Sequence, residues 1–167
     1  MTKKLGIVDS DNKDIIFAIE KYFVAKDVEV KVVSYDYDMS EFDVVAFSGY
    51  ENSTIINHST ILNVYPTLLP AFRGEDNPIL ASYLAGVKVS GVSVYNVSTD
   101  KILAQYPVLI GVDTSITELT DEISKIAQKI YPLVIESVLN DRVFDFEDLY
   151  RTSSCSGNCG GCGSCHY

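Results

Sequence analysis

Two strand-like runs, Val87 to Val97 and Lys101 to Val108, are separated only by Ser98-Thr99-Asp100. A parallel pair needs a crossover of a dozen or more residues, so these runs can pair only as an antiparallel hairpin. Upstream the pattern differs. Lys4 to Val8 is a short apolar run, and Asp9-Ser10-Asp11-Asn12 is a turn and helix-cap cluster. Ile15, Ile16, Ile19, Phe23 and Val24 then mark one face of a helix over Asp14 to Ala25. Val28 to Ser34 alternates Val with Glu and Lys, the pattern of a half-buried strand. The fold class expected is α/β: a mostly parallel sheet with flanking helices, ending in an antiparallel hairpin.

Asp43 to Ser48 reads as a buried strand followed by Gly49, and Tyr35 to Glu41 is too short for a full helix. Thr60 to Tyr65 is another strand, and Pro66-Thr67-Leu68-Leu69-Pro70 is a loop stiffened by two prolines. Asn77 as N-cap and Pro78 at the first helical position start a helix that stops at Gly86. Thr114 caps a long helix in which Ile116, Leu119, Ile123, Ile126, Ile130 and Val134 recur at helical spacing. Ser115 with Glu118 fits a capping box, and Pro132 is expected to kink or split this helix. The folded domain is expected over residues 1–149, with a Gly/Ser/Cys tail over 150–167.

The chain has 167 residues, 47% hydrophobic, and a formal net charge of -10. That is enough for one core and argues against nucleic acid or an anionic membrane as the main partner. The apolar run after Met1-Thr2-Lys3-Lys4 is too short for a signal peptide, and no stretch approaches the roughly 20 apolar residues of a membrane span. A cytoplasmic protein is expected.

The segment Ile61-Leu-Asn-Val-Tyr-Pro-Thr-Leu-Leu-Pro-Ala-Phe-Arg-Gly74 resembles the signature of the glycinamide ribonucleotide formyltransferase family. Phe42 to Tyr50, Ala85 to Tyr95, Ile102 to Gln105 and Ile130 to Val134 resemble that family's neighbouring elements in order, so the likeness runs from about residue 42 to 144. The resemblance implies a Rossmann-like formyltransferase fold and formyl transfer from 10-formyltetrahydrofolate to a primary amine. It implies Asn63 as a donor to the developing oxyanion. Leu68, Leu69, Pro70 and Gly91 fall where the family lines its folate pocket.

Three departures shape the expectation. Tyr65 stands where the family has His, and a phenol with an ordinary pKa of about 10 is a poor proton carrier at neutral pH. It either replaces the His or simply packs. Asp100 is the only acid in a loop shorter than the family's Asp-bearing loop, and it reads as a doubtful acid/base or a turn residue. Asp9-Ser10-Asp11-Asn12-Lys13 replaces a Gly-rich phosphate loop with two carboxylates and one lysine, which disfavours a ribonucleotide phosphate. His58 reads as a surface residue.

Cys155, Cys159, Cys162 and Cys165 lie in a Gly-rich end with Cys-x3-Cys-x2-Cys-x2-Cys spacing. Thiolates this close can wrap one metal centre. An iron–sulfur cluster, zinc and no specific metal are all open readings. Two functions follow: a formyltransferase-like domain with attenuated or lost transfer and a metal-binding tail, or a non-catalytic module binding a small-molecule ligand or a redox or metal partner protein.

Overall fold

A computed structural model of the chain describes residues 1–10, 12–49, 58–147 and 149. Six strands form one sheet in the order β2-β1-β3-β4-β5-β6. They are β1 (Lys3–Val8), β2 (Val28–Val33), β3 (Val44–Phe47), β4 (Ile61–Tyr65), β5 (Val89–Asn96) and β6 (Lys101–Leu109). β1 pairs in parallel with β2 and β3, and β3 with β4. β5 runs antiparallel to both β4 and β6. This is the mixed sheet that the short 98–100 connection demands.

Three helices accompany it: α1 (Lys13–Phe23), α2 (Pro78–Leu84) and α3 (Ile116–Leu139). Their apolar residues enter one core cluster with Leu5, Ile7, Val44, Ala46, Leu62, Val64, Val92 and Val94. The opposite sheet face carries a smaller cluster built from Val8, Val45, Phe47, Ile61, Met39 and Phe42. Strand residues alternate faces with period two, so these two memberships also fix which side each polar strand residue takes.

Local signals explain most boundaries. Asn12 caps α1 by accepting from the Ile15 N–H, and Asn77 caps α2 with Pro78 in its first turn. Gly86 ends α2 with φ +70°, a conformation that favours glycine. Three expectations are corrected. The cap of α3 is Ser115, in a reciprocal capping box with Glu118, while the Thr114 hydroxyl accepts from the Gly111 N–H instead. Pro132 neither splits nor ends α3, which runs on to Leu139. His58 is not a surface bystander: its Nδ1 accepts from the Thr60 N–H at 3.1 Å and its Nε2 lies 2.9 Å from the Phe42 carbonyl.

No helix among the described residues is long and apolar enough to cross a membrane.

Candidate functional site

Leu62 and Val64 point into the main core, so Asn63 and Tyr65 take the other face of β4. The register sets Tyr95 opposite Asn63 and Ser93 opposite Tyr65. On β6, Gln105 lies opposite Ser93. This face has a loop over it, residues 66–74, rather than a helix.

Side chains of the sheet hold that loop in place. Ser93 Oγ accepts from the Leu69 N–H at 2.9 Å and donates to the Thr67 carbonyl at 2.7 Å. Gln105 Nε2 donates to the Leu69 carbonyl at 2.9 Å and to Ser93 Oγ at 3.0 Å. Both polar groups of the Leu69 backbone are thereby satisfied. Pro70 follows through a cis peptide bond and is exposed. Gly91 lies beneath Leu68: a Cβ there would stand 2.7 Å from Leu68 Cδ2 and 2.1 Å from the Tyr106 carbonyl oxygen. No side chain fits, so the glycine allows the loop to seat.

Tyr65 is buried, and its hydroxyl donates to the Phe72 carbonyl at 2.9 Å while accepting from the Gly74 N–H at 3.2 Å. The phenol thus holds the far end of the same loop. Asn63 is fully buried, and its Oδ1 accepts from the Val64 N–H at 2.8 Å. Its Nδ2 has no hydrogen-bond partner among the described residues. Leaving a buried amide donor unmade costs on the order of 1–3 kcal/mol. Folded proteins rarely leave such a group unpaired.

Burial pushes the Tyr95 phenol above its ordinary value, opposed by the nearby Asn63 amide and the Arg73 guanidinium. The Asn63 amide is close enough to act on this phenol, though not in hydrogen-bonding geometry. Arg73 lies over the Tyr95 ring at 5.5 Å from its centroid. It also grips Asp100 with two contacts, Nη2 to Oδ1 at 2.7 Å and Nη1 to Oδ2 at 3.0 Å. The Arg73 hydrogen bond lowers the Asp100 pKa, which makes this carboxylate a weaker base. Asp100 sits in the hairpin turn with φ +56°.

A cleft of about 1000 Å³ opens beside Tyr65, at the carboxyl ends of β1, β3 and β4. Strand order reverses between β1 and β3, where open α/β sheets bind ligands. The loops after these two strands are stitched together. Ser48 Oγ accepts from the Ser10 N–H at 2.7 Å, and a Cβ on Gly49 would stand 2.8 Å from the Ser10 carbonyl oxygen. Asp14, Glu75 and Asp76 line the cleft against one ammonium, Lys13, which is itself paired with Asp9.

Residues 17–135 match the formyl transferase family. The chain belongs to this family.

Among curated proteins, this formyl transferase domain is similar to the phosphoribosylglycinamide formyltransferase of Bacillus subtilis (strain 168). The two are 33% identical over 110 residues, covering 60% of this chain and 56% of that protein. The chain thus spans little more than half the length of that relative. In structure it resembles the phosphoribosylglycinamide formyltransferase of Anaplasma phagocytophilum, with a TM-score of 0.73, 20% identity and coverage of 89% of this chain and 91% of the other. It also resembles a formyltetrahydrofolate deformylase of Pseudomonas syringae pv. tomato, with a TM-score of 0.72, 15% identity and coverage of 88% and 64%. These likenesses establish the Rossmann-like formyltransferase fold.

Asn63, Tyr65 and Gly91 thus lie on one face of this domain, with Leu68, Leu69 and Pro70 in the loop over it. Asp100 contacts the loop through Arg73. Arg73, Ser93, Tyr95 and Gln105 were not singled out from sequence. The available signal was the polar alternation of β5 and β6, Ser93, Tyr95 and Gln105 against Val92, Val94 and Ala104. Cys155, Cys159, Cys162 and Cys165 lie outside the described residues. Among the described residues no group of three or more His, Cys, Asp or Glu is placed to hold a metal.

Proposed function

We propose that this chain is a formyl-transfer domain that takes its one-carbon unit from 10-formyltetrahydrofolate and turns over at an attenuated rate. The observation that carries this reading is the buried Asn63 amide, a donor with no partner among the described residues, on the loop-covered face of the sheet. It suits an oxygen that gains negative charge during transfer. When bound, the folate supplies the formyl carbon for an amine. Leu68, Leu69 and Pro70 would form its wall, with Gly91 seating their loop, and Asn63 would hold the N–H aimed at the formyl oxygen.

Attenuation follows from the proton chemistry. The Tyr65 hydroxyl is engaged with Phe72 and Gly74, and the Asp100 carboxylate with Arg73. Neither is arranged to take a proton from an attacking nitrogen. The cleft narrows the acceptor as well: three carboxylates beside one paired lysine disfavour a phosphate ester and suit a phosphate-free amine. The Cys-rich end adds a metal-binding tail, a reading supported by the spacing of its four thiols.

The test is formyl transfer from 10-formyltetrahydrofolate to glycinamide and to glycinamide ribonucleotide. Slow transfer to glycinamide is expected, with a further loss of about 100-fold in Asn63→Ala. Tyr65→His alone should leave the rate low, because Asp100 stays tied to Arg73. Robust transfer to glycinamide ribonucleotide by that variant would overturn attenuation. Folate binding without any transfer would instead favour the non-catalytic module, in which both proton-carrying positions are engaged structurally.

A further inference from the structure

The outer face of the α1–α3 pair carries a feature that formyl transfer does not use. Phe17 and Lys21 of α1 face Lys125, Gln128, Lys129 and Pro132 of α3 across a groove of about 570 Å³. The groove shares no lining residue with the cleft beside Tyr65. Its residues lie at helical spacing on both sides. Phe17 and Lys21 are one turn apart, as are Lys125 and Lys129, and as are Gln128 and Pro132.

Three properties coincide here. Phe17 is 65% exposed, although Ile15, Ile16 and Ile19 of the same helix are buried. Pro132 and Leu133, both buried in α3, give the groove an apolar wall. Lys21, Lys125 and Lys129 form no ion pair among the described residues, on a chain whose net charge is -10. An acidic chain has carboxylates available for such lysines, yet these three converge on an apolar groove without them.

We propose that this groove docks a short acidic segment of a partner protein. An apolar side chain of the segment lies against Phe17 and Pro132. Its flanking carboxylates meet Lys21, Lys125 and Lys129. A short segment suits the charge distribution better than an extended polyanion. A nucleic acid or an anionic bilayer would reach past three lysines into the field of an otherwise acidic molecule.

The experiment is a titration of the isotope-labelled full chain with the capped peptide Glu-Glu-Leu-Phe-Glu-Glu, followed by amide chemical shifts. Saturable shifts confined to residues 17–22 and 125–133 are expected. Affinity should fall about tenfold between low salt and roughly 0.3 M salt, and about tenfold in the Lys21→Glu, Lys125→Glu, Lys129→Glu variant. All three lysines are exposed, and unchanged shifts elsewhere would verify that the variant is folded. The proposal is overturned by absent shifts, by shifts outside the groove, or by equal binding of a peptide with Gly in place of Leu-Phe. It is also overturned if a single-stranded RNA or phosphatidylglycerol vesicles perturb the groove more strongly than the peptide.

Discussion

The Tyr65 hydroxyl donates to one backbone group of the 72–74 loop and accepts from another, so its proton already has an acceptor within the fold. Asp100 is limited differently. Its carboxylate is free of the core but held ionised by Arg73. Glu41 shows the same logic away from the site. The Tyr37 hydroxyl, then Lys31 and Lys4, bring its pKa down to about 2. Lys4 lies on β1 and Lys31 on β2, so this carboxylate joins the outermost strand pair to the turn before β3. A depressed folded value contributes stability that is complete above the unfolded value of 4.5 and is lost as pH falls toward about 2. Solvent screening keeps the effect small. Glu41→Gln should therefore lower the Tm slightly at pH 7, with a deficit that closes through that window. A deficit that persists unchanged to pH 2 would trace the effect to packing instead.

Among the elements, α3 is the one that ties the site to the core. Its Tyr131 is fully buried, and the hydroxyl lies 2.8 Å from the Leu62 carbonyl and 3.0 Å from the Phe47 carbonyl, the strands on either side of the β3–β4 seam. Tyr131→Phe would leave the carbonyl that receives this proton without its donor, and a loss of about 1–2 kcal/mol is expected in urea denaturation. A loss below about 0.3 kcal/mol would mean that another donor replaces the hydroxyl. The element boundaries were legible because their signals are local: the alternating run of β2, Asn77-Pro78, and Ser115 with Glu118. Pro132 does not split α3, which packs against β3, β4, β5 and β6, and this tertiary support outweighs one missing N–H. The Arg73–Asp100 and Tyr131–Leu62 contacts join residues 27 and 69 positions apart, a relation that no local periodicity records. Asn63 could be chosen from its motif, but that its amide lacks a partner is visible only once Tyr95 is placed across from it.

Taken whole, the molecule sets its three helices into one large cluster on one side of the sheet and Asn63 and Tyr65 on the other, while the cleft beside Tyr65 is lined in part by residues of all three helices. Such a division lets the core be apolar while the opposite face of β4 and β5 stays polar. The chain-wide charge of -10 belongs to the same picture, since a cleft lined by Asp14, Glu75 and Asp76 offers little to an anion. The Cys-rich end is the remaining part. Metal and sulfide analysis of the anaerobically purified chain beside a Cys159→Ser, Cys162→Ser variant should show metal lost with the thiols. Equal metal in both, or none in either, would remove the metal-binding tail from the proposed function.

The short turn that carries Asp100 has a consequence for how such a domain diversifies. It joins β5 to β6, the strand at the edge of the sheet. Residues can be inserted or deleted there while the core continues to fold as before. A domain of this kind can therefore gain or shed an acidic partner for Arg73 by changing loop length alone, with its architecture unchanged.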